Sequence, residues 1–184
     1  MANRDDEVLA QLAKAAAEGN RAAFDEIVRQ TMNSVLALTY RMTGDRDTAL
    51  DLAQDTFVAA WKGLSGFRGD SRLTSWLYRI AANKTLNHLA KRAKPETADS
   101  RVSDSVASHN PARQLEQEEL RVLVREFMAT LPPQQRITFE LRFYQGMAFD
   151  EIARATGRAL GTVKTNYRQA VAKLRQFARE RELL

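Results

Sequence analysis

Read at about 100° per residue, the apolar positions of this chain fall into helical stripes along most of its length. The two-residue alternation of a half-buried strand is missing. Four helices are expected between residues 5 and 94. The first, "DDEVLAQLAKAAAEG", ends at Gly19. The second, "NRAAFDEIVRQTMNSVLALTYRMTG", has Asn20 as its N-cap and Gly44 as its C-cap. The third contains "DTALDLAQDTFVAAW", buries Leu50, Ala53, Phe57, Ala60, Trp61 and Leu64, and closes in the loop "LSGFRGDS". The fourth starts near Asp70 or Ser71 and runs to about Lys94. Its first half is apolar on two sides, with Leu73, Trp76, Leu77 and Ile80 on one stripe and Tyr78, Ala82, Leu86 and Leu89 on another.

The period then stops. "KPETADSRVSDSVASHNPAR" is rich in Ser, Asp, Pro and small residues, the composition of a flexible linker. Helical patterning returns near Gln114 with "QLEQEELRVLVREFMATL". "PPQQRITFELRFYQG" follows, with Pro132 or Pro133 suited to a first helical turn, then "AFDEIARATG" and "GTVKTNYRQAVAKLRQFARERE". The expected fold is all-α. A helical domain over residues 1–95 is joined by a linker, 96–113, to a second over residues 114–184, with no internal repeat.

Composition narrows the classes. With 184 residues, 44% hydrophobic and 28% charged, the chain suits folded domains and not a wholly disordered polymer. No apolar run approaches the roughly 20 residues that span a bilayer, and the N-terminus lacks a signal-peptide pattern. A cytoplasmic location without membrane insertion is expected. The absence of cysteine excludes disulfides, a thiol nucleophile and thiolate-bound zinc. His88 and His109 sit in no metal-ligand spacing, so neither metal nor cofactor is expected. There is no catalytic triad and no paired carboxylate in a Gly-rich pocket, which argues against a hydrolase.

The net charge is +5 and the pI about 9.7, but the distribution says more. Between Arg68 and Lys94 there are seven bases and one acid, Asp70; between Ile152 and Arg179 there are seven bases and no acid. Two basic tracts about 60 residues apart fit two contacts with a polyanion as well as they fit two solvated helix faces.

In the last helix Val163, Tyr167, Ala170, Leu174 and Phe177 form the i, i+4, i+7, i+11, i+14 stripe of a core-facing side. The opposite side carries Lys164, Thr165, Arg168, Gln169, Arg175 and Gln176, side chains that reach phosphates and base edges. A short helix and a glycine turn precede it in "AFDEIARATGRAL". That order is a helix-turn-helix, whose second helix reads the major groove with its N-terminal residues. An ordinary amphipathic surface helix is the competing reading.

In the fourth helix the stripe with Trp76 continues into Asn83, Lys84, Asn87 and Lys91, behind a loop carrying Phe67, Arg68 and Arg72. Such a face suits an unstacked base beside a phosphate backbone, although a Trp is more often core. On the third helix Asp47, Asp51, Gln54, Asp55 and the apolar Val58 form one stripe. Like charges four apart repel by a few tenths of a kcal/mol per pair, and no base lies within the run. Solvation tolerates this, but an acidic face around an apolar residue also fits docking of a basic helical partner.

"DLAQDTFVAAW", "FRGDSRLTSWLYRIAAN" and "LPPQQRITFELRFYQGMAFDEIARATGRALGTVKTNYRQAVAKLR" closely resemble bacterial RNA polymerase sigma factors of the extracytoplasmic-function (ECF, group IV) type. The resemblance covers both domains in order. It implies a region 2 helical bundle, a region 4 helix-turn-helix, and a transcription initiation factor that directs core polymerase to −10/−35 promoters in a stress or envelope response. It implies that Asp47, Asp51, Gln54, Asp55 and Val58 dock on the polymerase β′ coiled coil. Arg68, Ser71, Arg72, Trp76, Arg79, Asn83, Lys84 and Asn87 would capture and hold the melted −10 element. Arg158, Thr162, Lys164, Thr165, Asn166, Arg168, Gln169 and Lys173 would read the −35 duplex. Further implied partners are the polymerase β flap and an anti-sigma factor, with the free protein a monomer.

The sequence departs from the family's pattern in places. Ala159 stands where many relatives have Ser or Pro, which removes a helix cap worth about 1 kcal/mol. "TNY" at Thr165 to Tyr167 is a less usual continuation, and the zinc-binding and ligand-sensing extensions of some subgroups are absent. The alternative is a stand-alone helix-turn-helix regulator that binds operator DNA without polymerase. It leaves the acidic stripe unexplained and wants a dimer interface that the pattern does not supply.

Overall fold

In the computed structural model, which describes residues 2–92 and 111–183, capping chemistry accounts for several of the helix boundaries. Helix α1 (Ala2–Ala17) turns at Gly19, whose φ of +97° suits a residue without Cβ. Helix α2 (Arg21–Thr43) is capped as expected at both ends. Asn20 Oδ1 accepts from the Ala23 N–H at 3.1 Å, and Gly44 in the left-handed region donates to the Tyr40 carbonyl at 2.8 Å. Helix α3 (Arg46–Gly63) starts at Asp45, whose Oδ2 accepts from the Thr48 N–H at 2.8 Å. A 3-10 turn over Leu64–Gly66 leads to α4 (Leu73–Arg92).

In the second unit α5 spans Pro111–Thr130 and α6 spans Pro133–Phe139, with Pro133 in the first turn, where the missing N–H costs nothing. The α6 coil then widens into a π-helical segment over Glu140–Tyr144. Helix α7 (Phe149–Thr156) ends at Gly157, and α8 runs from Leu160 to Glu180. No strand occurs among the described residues. Residues 96–110 of the expected linker lie outside the described residues, and its expected last positions, 111–113, belong to α5.

Both helical units are present, and they are packed on each other. One core cluster gathers Ile27, Val35, Leu38 and Met42 of α2, Ala53, Phe57 and Ala60 of α3, and Leu73, Leu77 and Ala81 of α4. It then continues into Ile137, Leu141, Met147, Ile152 and Val163 of the second unit. A smaller cluster of Phe127, Met128, Leu131, Phe139 and Ala170 joins α5, α6 and α8. The stripe expected on α8 faces inward: Val163 and Ala170 are buried, and Tyr167, Leu174 and Phe177 pack beside them. Trp61 departs from expectation. It is 37% exposed: it lies at the border of the α3 apolar side, with Phe24 against it, ring centroids 4.9 Å apart.

Asp45 gives the fold a pH-dependent end. Hydrogen bonds from the Thr48 side chain and then from its backbone N–H hold the Asp45 carboxyl below the ordinary carboxylate value. A lowered folded-state pKa means that the stabilisation is complete above an unfolded value of about 3.9 and fades as pH falls through the folded value. Asp45→Ala is expected to cost about 1 kcal/mol at pH 7. In urea titrations the difference from wild type should narrow below about pH 4; a gap that stays constant would exclude the cap as its cause.

Candidate nucleic-acid interface

Helix α8 presents its expected reading face openly. Arg158, Thr162, Lys164, Arg168 and Gln169 are exposed, while Thr165, Asn166 and Lys173 are half-buried along the edges of the same face. Gln169 Oε1 accepts from Gln135 Nε2 at 2.7 Å, which ties the face to α6. Gly157, with φ +65°, and the extended Ala159 make the turn between α7 and α8. Ala159 has no side-chain oxygen, so the first N–H groups of α8 receive no side-chain cap. Those donors and the positive end of the helix dipole point the way a phosphate approaches a recognition helix.

Helix α4 carries the second polar face. Arg72, Arg79, Asn83 and Asn87 follow one another at seven- and four-residue steps, so they share one side, and all four are exposed. Arg68 is exposed in the preceding loop, and Ser71 is half-buried. Trp76 lies on the border of this face, four residues after Arg72. One side of its indole packs over Gly63 and against Phe67, ring centroids 5.3 Å apart, and the other side is partly open. It therefore belongs to the core and to the surface at once. Arg72 is also paired with Asp6 of α1 at 3.7 Å.

On α3, Asp47, Asp51, Gln54 and Asp55 are exposed, and Val58, 54% accessible, stands among them. The stripe receives a base from outside its own helix: Lys84 Nζ of α4 lies 3.8 Å from Asp55 Oδ2. At this exposure the pair contributes a fraction of a kcal/mol. It sets the acidic stripe of α3 beside the polar side of α4, two groups that the sequence assigned to different partners. Among the described residues no cluster of three metal-capable side chains occurs, and no helix is long and apolar enough to cross a membrane.

Sequence reasoning missed a contact between the two units. Arg41 Nε donates to Glu140 Oε2 at 2.6 Å and Nη2 donates to Oε1 at 2.7 Å, a two-pronged pair. The Glu140 side chain is fully buried. Burial works against the Arg41 charge, but the Glu140 hydrogen bonds and carboxylate outweigh it and raise the guanidinium above its ordinary pKa. A signal was present: a lone Glu inside the apolar run "ITFELRF" needs a partner if that run is core.

Known proteins share this arrangement. The family model Sigma-70 region 2 matches residues 27–94, and Sigma-70, region 4 matches residues 121–174. The RNA polymerase sigma-H factor of Pseudomonas aeruginosa is 32% identical over 179 residues, covering 90% of this chain and 93% of its own. The ECF RNA polymerase sigma-E factor of Escherichia coli (strain K12) is 31% identical over 161 residues, covering 80% and 82%. Among solved structures, CnrH in complex with the cytosolic domain of CnrY superposes with a TM-score of 0.68 at 28% identity, over 94% of this chain and 98% of that one. The sigma factor RpoE in complex with the anti-sigma factor NepR from Bartonella quintana shares the fold, with a TM-score of 0.66 at 20% identity over 85% and 96%.

The unfilled cap of α8 is a direct test of its local geometry. Ala159→Ser supplies the missing oxygen to a residue already in extended backbone. Stability should rise by about 1 kcal/mol, or roughly 3 °C in the thermal midpoint. A midpoint that does not move would mean that the first turn of α8 differs from the one described.

Proposed function

The chain belongs to the sigma-70 family of RNA polymerase sigma factors, ECF type, and is a transcription initiation factor; we propose that it divides this work among the three faces of α3, α4 and α8. Asp47, Asp51, Gln54, Asp55 and Val58 dock on the β′ coiled coil of core polymerase. Charge complementarity there sets on-rate and register more than affinity. Arg68, Ser71, Arg72, Trp76, Arg79, Asn83, Lys84 and Asn87 receive the melted −10 strand. The partly open indole serves as a stacking platform, Arg and Lys meet phosphates, and Asn offers both donors and acceptors. Arg158, Thr162, Lys164, Thr165, Asn166, Arg168, Gln169 and Lys173 read the −35 duplex. The second unit also rests on the β flap.

One observation carries this reading. A single chain exposes an acidic stripe with an apolar centre and two separate polar, basic faces. DNA repels the first and attracts the others, so two different partners are needed. A stand-alone operator-binding regulator accounts for α8 but gives the α3 stripe no work. The factor performs no bond chemistry of its own; that belongs to polymerase. It works in the cytoplasm, is a monomer when free, and is held by an anti-sigma factor, as the sigma factor RpoE of Bartonella quintana is held by NepR in their complex.

The decisive experiment titrates labelled protein with purified core RNA polymerase at moderate salt. Wild type should bind tightly, and Asp51→Arg/Asp55→Arg should abolish binding while circular dichroism shows an unchanged helix content. Specific binding to naked duplex without any polymerase binding would replace this reading with the stand-alone regulator. For α8, Arg168→Ala in the holoenzyme should weaken promoter binding and lower the slope of log affinity against log salt by about 1. An unchanged slope would remove Arg168 from the phosphate contacts.

A further inference from the structure

Gln135 belongs to none of the three faces, yet it is bonded to a member of one. It lies in the first turn of α6, two residues after Pro133, and is half-buried. Its neighbour Arg136 holds that turn, donating from Nη2 to the Leu131 carbonyl at 3.0 Å and from Nη1 to the Met42 carbonyl at 2.6 Å. Four residues on, and so on the same side of α6, Phe139 is buried in the cluster that also holds Ala170 of α8. Phe139 stacks with Tyr167, ring centroids 6.1 Å apart and planes 20° from parallel. This side of α6 therefore faces α8. Tyr167 and Ala170 flank Gln169 and seat the stretch of helix from which it projects. Gln169 itself is exposed, on the stripe of Thr162, Thr165 and Lys173. Gln135 Nε2 donates to its Oε1 at 2.7 Å.

An amide has one accepting end and one donating end, so the end of Gln169 that is engaged decides which is left over. Here Oε1 is engaged, and Nε2 has no partner among the described residues. The opposite sense would need the Gln135 amide reversed. Its Oε1 is buried without a hydrogen-bond partner, so reversal would put an NH2 group in that place. Unpaired buried N–H groups are rarer than under-satisfied oxygens, and an NH2 would bring two of them. The bond therefore keeps its sense. At a base edge the two senses read differently. In the major groove guanine offers only acceptors, N7 and O6, whereas cytosine offers only its N4 amine, a donor.

We propose that Gln135 is a positioning residue for promoter recognition: it holds the Gln169 oxygen, leaves the Nε2 donor to the −35 duplex, and so makes guanine preferred over cytosine at one base. The proposal rests on the reading of α8 as the −35 helix. Gln135 need not touch DNA. Its work is to select one of two nearly isosteric orientations of a side chain that would adopt both if it stood alone on an exposed face. A Gln free to flip accepts from cytosine as readily as it donates to guanine, so it discriminates weakly. Held in one sense, it meets the cytosine amine donor to donor. Both groups are then desolvated without partners, which costs more than a missing bond.

The test uses the holoenzyme, core polymerase carrying the full chain, with a duplex library randomised across both promoter elements. Sequencing the bound fraction gives the base preference at each position. Gln169→Ala marks the base that Gln169 reads, because the preference flattens there. At that base Gln135→Ala should lower the guanine-to-cytosine ratio by about fivefold, the worth of one hydrogen bond. It should add nothing once Gln169 is replaced by alanine. With Gln135→Glu the new carboxylate only accepts, so Gln169 has to give it Nε2 and present Oε1, and the preference should turn toward cytosine. The amine of Gln135→Lys only donates, so guanine should stay preferred. The added charges change affinity for all duplexes alike, as does any loss of folded protein, and neither moves the ratio. A ratio unchanged in both Gln135→Ala and Gln135→Glu would overturn the positioning role and leave the α8 reading standing. So would cytosine preferred by wild type at that base, or a −35 preference that needs Arg168 but not Gln169. If Gln169→Ala and Arg168→Ala both leave every −35 preference intact, the α8 reading fails and the role of Gln135 with it.

Discussion

Helix α4 has to satisfy three environments with one 20-residue length, and the rest of the molecule is arranged around that demand. Leu73, Leu77 and Ala81 enter the core of the first unit, and Tyr78, buried and engaged with Ser34, presses toward α2. Ser75 meets α7 of the second unit. The only side left to water is the one with Arg72, Arg79, Asn83 and Asn87. A helix buried on two sides loses the broad polar half of an ordinary surface helix. Its remaining stripe is narrow, and the helix that carries it is packed on either flank. A firmly seated helix suits the proposed role of this face, since a mobile platform would spend stacking energy on its own ordering.

The same demand explains what was legible in the sequence. Caps follow local rules, so Asn20, Gly44 and Pro133 lie where the residues alone place them. The α8 stripe was equally plain, because a long helix with one neighbouring layer keeps a clean period. On α4 the two apolar stripes were visible, but a stripe does not say what it touches. Trp76 proved to be packed on Phe67 and Gly63 and still partly open, a combination that periodicity cannot express. Trp61 was placed in the core because the α3 period extends to it; its exposure depends on how far α2 reaches, which is tertiary information.

The contact between the units was the least legible part. Arg41 and Glu140 are 99 residues apart, and neither pattern nor propensity joins groups at that separation. The composition of residues 96–113 pointed to two joined bodies without saying how they sit together, and the described residues on either side form a shared core. A tether and an interface are compatible.

The free energies at work order these contacts. Large apolar side chains such as Leu38, Leu77 and Leu141 are fully buried, and truncating residues of this kind costs about 2–5 kcal/mol each. Exposed pairs such as Lys84–Asp55 contribute under about 1 kcal/mol. The Arg41–Glu140 pair falls between them in kind: fully directional, buried, and close to neutral in net stability. The interface between the units holds both kinds, since Leu141 joins the shared apolar core while the buried pair fixes the register of the packing. The buried pair gives the packing of the units a defined geometry at small net cost.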